Sequence, residues 1–147
     1  SKNNIILKKT DLDLSNVNAI KINPEEGQNI VSGSHDEMML ALQKKGIEYV
    51  LLTNKSDVSL LVKNRVYSLK LPNKHIHDTT GIGDIFCSAF TCTMLKEKDF
   101  LWALCFAAGS AQAALESNNV GLQKIPKKGM VENNASYFYN LVDFRDL

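Results

Sequence analysis

The residues with the clearest chemical potential run from Asp78 through Thr79, Thr80, Gly81, Ile82 and Gly83 to Asp84. They follow an extended, β-like stretch and lead straight into an apolar helical pattern. Two glycines around Ile82 predict a tight turn whose backbone N–H groups sit at a helix N-terminus. Exposed amides and the positive end of a helix dipole together make an anion site. A carboxylate in the first helical turn is electrostatically awkward beside a bound anion. Asp84 therefore suggests a base that takes a proton from a hydroxyl attacking a phosphoryl group. Taken alone, Asp84 is better explained as an acid favoured by the helix dipole.

Other candidates carry less. Asn23-Pro24-Glu25-Glu26 places an amide and a carboxylate three residues apart after a short apolar strand, which is also how a helix commonly starts. His75 and His77 have a spacing that two metal ligands on one strand can adopt, but no third ligand accompanies them. Cys87, Cys92 and Cys105 lie in apolar surroundings without a C-x-x-C spacing and read as small core residues. No G-x-x-x-x-G-K-[ST] occurs, and Phe86 stands where a dinucleotide fingerprint would place its third glycine.

The elements that would position these residues alternate. Ile5 to Leu7 and Ala19 to Ile22 read as short strands, the latter stopped by Asn23-Pro24. Glu25 opens a brief helix. Ser34 and Glu37 form a capping-box pattern ahead of a helix that ends at Gly46. Tyr49 to Thr53 is a continuous apolar run expected of a strand covered on both faces. Val58–Val62 and Val66–Leu71 form a predicted hairpin around Lys63-Asn64-Arg65. Helices are expected over Ile85 to Leu95, over the Ala-rich stretch Phe100 to Leu115, and over Met130 to Phe144. This order indicates α/β layering.

Composition narrows the function classes. Seventeen basic and sixteen acidic residues give a net charge of +1 over 147 residues, so neither nucleic acid nor a membrane surface is an expected partner. No eighteen-residue apolar run and no signal-peptide pattern occur. Three cysteines without a disulfide pattern fit a reducing cytoplasm.

Asp78-Thr-Thr-Gly-Ile-Gly-Asp84 closely resembles the C-terminal signature D-T-x-G-A-G-D of the ribokinase-like (phosphofructokinase B) sugar and nucleoside kinases. Ile82 is the one departure, at a position that acts mainly through its backbone N–H. Asn23-Pro-Glu-Glu26 is similar to the family's N-x-x-E motif, which helps hold magnesium and phosphate. The Ala-rich helix with Asn118-Asn-Val-Gly121 and Pro126 is similar to the border of the family's adenine pocket. Thr53 begins a stretch that falls where the family has T-x-G-x-x-G, with Lys55 and Val58 at the glycine positions.

The resemblance implies an α/β, ribokinase-like fold, as a partial three-layer αβα sandwich with helices on a mainly parallel sheet. Residues 1–147 would be the C-terminal nucleotide-binding portion, without the N-terminal substrate and lid half. It implies ATP-dependent phosphorylation of a hydroxyl on a sugar or nucleoside. Asp84 would be the general base, and the amides of Gly81, Ile82 and Gly83 the anion hole. Thr53, Asn54, Gly109, Asn118 and Gly121 would meet the nucleotide. Asn23 and Glu26 would hold Mg2+ through water, and Asp78 and Thr79 a monovalent cation such as K+. The alternative is a non-catalytic nucleotide-binding or interaction module. The resemblance leaves a homodimer open, and the residues give no basis for deriving one.

Overall fold

The computed structural model describes residues 13–72, 81–117, 123 and 125–147. In chain order these form β1 (Ala19–Ile22), α1 (Pro24–Ile30), α2 (His35–Lys44), β2 (Tyr49–Thr53), β3 (Asp57–Val62) and β4 (Arg65–Lys70). They continue with α3 (Ile82–Glu97), α4 (Phe100–Glu116), α5 (Lys128–Tyr139) and β5 (Asp143–Asp146). The strands make one five-stranded sheet in sequence order, β1 to β5.

The sheet is mixed. β1 and β2 pair in parallel because the α1–α2 segment carries the chain back across the sheet, with Ile20 opposite Val50 and Ile22 opposite Leu52. From β2 onward the pairs are antiparallel. The β3–β4 hairpin closes through Lys63 and Asn64, both at positive φ (47° and 62°). This two-residue, left-handed turn matches the twist of the flanking strands, and Asn is among the residues that tolerate it best. Arg65, expected in the turn, is instead the first residue of β4.

Side-chain alternation along the strands divides the core into two layers, as the period of two requires. Val50, Leu61 and Val66, aligned across β2, β3 and β4, face α2 and join Met38, Met39, Leu42 and Ile47. Leu51, Leu60 and Tyr67, one residue along, face the other way, toward Phe86 and Phe90 of α3 and Leu104 of α4. Helices thus cover both faces of the sheet, giving the expected α/β layering.

α4 packs against both α3 and α5, and its surface is buried almost all round. Its Ala107, Ala108, Ala111 and Ala114 let neighbouring helices approach closely. Ser110 satisfies its hydroxyl by donating to the Phe106 carbonyl at 2.9 Å. At the start of the helix, Trp102 packs its ring against Phe106 and Tyr139.

The C-terminal stretch corrects one expectation. The helix predicted from Met130 to Phe144 ends at Tyr139, and residues Asp143–Asp146 form β5 along β4. Phe144 lies opposite Tyr67 and packs on its ring, while Arg145 reaches Asp36 at the start of α2. Val142, Phe144 and their polar neighbours alternate with a period of two, which a run read at helical spacing concealed. The cysteines also differ from one another. Cys105 is buried, but Cys87 is half-buried and Cys92 exposed. Ile5 to Leu7, His75 and His77 lie outside the described residues.

Candidate functional site

The ends of β1 and β2, the start of α1, the start of α3 and the later turns of α4 surround a cavity of about 580 Å³. Its polar lining includes Asn23, Glu25, Thr53 and Asn54. Ile82 and Gly83 contribute from α3, and Ala111 and Leu115 from α4.

Local sequence builds each wall. β1 stops at Asn23, whose extended backbone (φ −99°, ψ 169°) caps α1 with Pro24 as the first helical residue. Pro suits that position because its missing N–H would have had no helical partner. The Asn23 Oδ1 accepts from the Glu26 N–H at 2.8 Å, and Glu26 Oε2 accepts from the Asn23 N–H at 2.9 Å. The Asn–Glu pair is therefore a complete capping box. Thr53, at the end of β2, donates its hydroxyl to the Ile22 carbonyl at 3.4 Å, joining the two strand ends beneath the cavity.

The turn after Thr53 holds its shape without glycine. Asn54 Oδ1 accepts from the Lys55 N–H at 2.8 Å, and the Asn54 N–H donates to the Asp57 carbonyl at 2.8 Å. Lys55 and Val58 line the cavity, and Val58 is also 2% exposed within the core.

At α3, Gly81 adopts the left-handed conformation (φ 78°) as the residue before the helix, and no side chain caps the first turn. Helix geometry leaves the opening amides without intrahelical acceptors. The helix begins at Ile82, earlier than the apolar pattern suggested. Asp84 lies in this first turn, exposed, with no hydrogen bond or ion pair to another described residue. This arrangement presents amide donors and a helix dipole at the cavity wall, with an exposed carboxylate in the same helical turn.

The structure brings Asn23, Thr53, Asn54, Ile82 and Gly83 to the same cavity, with Glu26 one capping turn away. It does not bring Gly109 there. A Cβ on Gly109 would come within 2.9 Å of the Val131 carbonyl and 3.0 Å of the Ala135 nitrogen, so this glycine serves the α4–α5 contact. The Asn134 side-chain amide also donates to its carbonyl at 3.3 Å. The α4 residues at the cavity are instead Ala111 and Leu115. Asp78, Thr79, Asn118 and Gly121 lie outside the described residues.

Lys21 was missed by sequence reasoning. It sits on β1 between Ile20 and Ile22, which pack on the α2 side, so it emerges on the opposite face beside Gly83. A lysine alternating with buried isoleucines just before Asn23 was the available signal.

The oxygen donors of Asn23 and Glu26 suit a hard cation such as Mg2+, but the single side-chain oxygen of Asn23 and one of the two on Glu26 already accept backbone amides. No group of three or more His, Cys, Asp or Glu among the described residues could hold a metal directly. The donors thus fit an ion reached through water, not one caged by protein. Burial, aided by Asp99, pushes the Cys105 thiol up to about 12, which removes it as a nucleophile. No helix among the described residues is long and apolar enough to cross a membrane.

The chain belongs to the pfkB family of carbohydrate kinases, whose family model matches residues 4–128. Among solved structures it resembles the ribokinase of Thermotoga maritima, with a TM-score of 0.71 and 19% identity over 81% of this chain and 42% of the other. Arabidopsis thaliana ribokinase, complexed with ribose and ATP, gives a TM-score of 0.71 and 21% identity over 83% and 42%. A pyrophosphate-dependent kinase in the ribokinase family, complexed with a pyrophosphate analog and myo-inositol, gives 0.67 and 19% over 82% and 42%. The fold is therefore ribokinase-like, and the chain spans about two fifths of the length of these relatives. No curated protein sequence matches it.

Proposed function

We propose that this chain is the nucleotide-binding, C-terminal portion of an ATP-dependent kinase acting on a hydroxyl of a sugar or nucleoside. The observation that carries the reading is the uncapped start of α3 at the mouth of a cavity shared with Asn23 and Thr53. Family membership and the ATP-bound ribokinase neighbour support ATP as the donor.

In this reading the nucleotide lies along Thr53, Asn54, Ala111 and Leu115, with its phosphates toward α3. The amides of Gly81, Ile82 and Gly83 receive the charge that builds on the transferring phosphoryl group. Removing one such donor typically costs about 3 kcal/mol of transition-state stabilisation. Asp84 accepts the proton of the acceptor hydroxyl as its oxygen attacks the γ-phosphorus in line and ADP leaves. Asn23 and Glu26 would hold Mg2+ through water, and the ion would neutralise phosphate charge. Asp78 and Thr79 are assigned to a monovalent cation, and Asn118 and Gly121 to the nucleotide, by resemblance alone. A cytoplasmic location follows from the same reading.

Calorimetry with MgATP, followed by a coupled assay across sugars and nucleosides, tests the assignment. Asp84→Asn is expected to bind ATP like the unsubstituted chain and to transfer no phosphate. Near-normal turnover by Asp84→Asn would remove the base role, and absence of ATP binding would remove the nucleotide reading.

One observation favours a second reading, a nucleotide-binding module without catalysis. Lys55 and Val58 fill a cavity wall where relatives place glycines for close backbone approach. ATP binding without transfer to any acceptor would select it.

A further inference from the structure

Lys21 occupies an unusual place for a lysine. Only 18% of its side-chain surface is exposed, and its one carboxylate neighbour among the described residues, Glu26, stands 3.9 Å from Nζ. That distance is too long for a hydrogen bond, and Glu26 Oε2 is already held by the Asn23 N–H. An ammonium carries three donors, and partial withdrawal from water leaves them costly unless acceptors replace the solvent. Next to Nζ lies Gly83, on the cavity wall at the first turn of α3.

The two glycines of the α3 turn are needed for different reasons. Gly81 has positive φ and open space around its missing Cβ. Gly83 is absent from the positive-φ residues, but a Cβ there would stand 3.0 Å from Lys21 Nζ. Gly81 answers a backbone demand, whereas Gly83 makes room for a cation.

We infer that the half-buried Lys21 ammonium is a fixed positive charge beside this site and contacts oxygens of the donor's terminal phosphates, in the space that Gly83 leaves open. This rests on the nucleotide reading above and adds a residue to it. Phosphate oxygens supply the acceptors that Glu26 does not. The side chain leaves β1 on the face opposite Ile20 and Ile22, and its head lies beside Gly83 at the start of α3. Amide donors and a lysine point charge would then act on the same phosphates from two sides.

The test is calorimetric titration of the 147-residue chain with MgATP and with AMP, which shares the base but lacks the outer phosphates. Lys21→Gln is expected to weaken ATP roughly tenfold or more, as loss of a charged hydrogen bond does, and to leave AMP within about twofold. Lys21→Arg is expected to retain most of the ATP affinity. Gly83→Ala meets only the flexible end of a side chain, so it should leave the melting temperature nearly unchanged while weakening ATP in the same direction. Equal ATP affinity in Lys21→Gln and the unsubstituted chain would overturn the lysine assignment alone. So would equal losses for ATP and AMP. An unsubstituted chain that binds neither ligand would overturn the function reading and this inference with it.

Discussion

At the scale of single residues, Asn23 and Glu26 have two possible duties. The structure accounts for both side chains by local physics alone: each accepts the other's backbone N–H at the start of α1. Asn23→Ala should therefore cost about 1 kcal/mol, read as a lower urea midpoint. Asn23→Asp, which caps equally well, should hold the midpoint. If either variant also changes the magnesium dependence of ATP binding, that effect comes on top of capping and is measured separately. The pair was legible as a strand end followed by a helix start. The reciprocal bonds were not, because the same four residues fit a metal motif and a cap. Lys21 was legible only in part: its alternation with Ile20 and Ile22 marks the opposite strand face, but one lysine in a four-residue strand gives no sign of which helix that face meets.

At the scale of elements, α4 shows how composition can mislead about position. Its small residues suited either a flat base or close packing, and different stretches of the helix line the cavity and pack on α5. Ala111 and Leu115 reach the cavity, while Gly109 lies against the backbone of α5. Backbone atoms cannot step aside as a side-chain tip can. Gly109→Ala should thus destabilise the fold by about 1–3 kcal/mol through overpacking, measured by chemical denaturation, and should act on nucleotide affinity only through stability. Most elements were readable from caps and periodicity: Ser34 with Glu37 marked α2, and the apolar run after Gly46 marked β2. β5 was hidden because its partners, Tyr67 and Asp36, lie far back in the chain.

At the scale of the whole molecule, β5 ties the sheet to the α2 layer. Arg65 Nε donates to Asp146 at 2.6 Å within the sheet, and Arg145 donates to both carboxylate oxygens of Asp36 across to α2. The Arg145 hydrogen bonds hold the Asp36 carboxyl below its usual range. A depressed folded-state pKa adds stability above the unfolded value, about 3.9, and that stability disappears as pH falls through the folded value. The pair is half-exposed, so its neutral-pH contribution should stay below about 1 kcal/mol. Asp36→Asn should lie slightly below the unsubstituted chain in stability at pH 7 and converge with it as pH falls through the depressed folded-state value. A gap that persists undiminished in acid would assign the effect to packing.

Trp102 is the only tryptophan, and its ring rests between Phe106 and Tyr139 at the start of α4. Ala111 lies nine residues further along the same helix, about 14 Å at helical rise. The protein's main fluorophore thus sits well away from the cavity and next to the α4–α5 packing. Intrinsic emission will follow unfolding closely. A change in emission on adding nucleotide would report a shift of α4 against α5 and not the filling of the pocket.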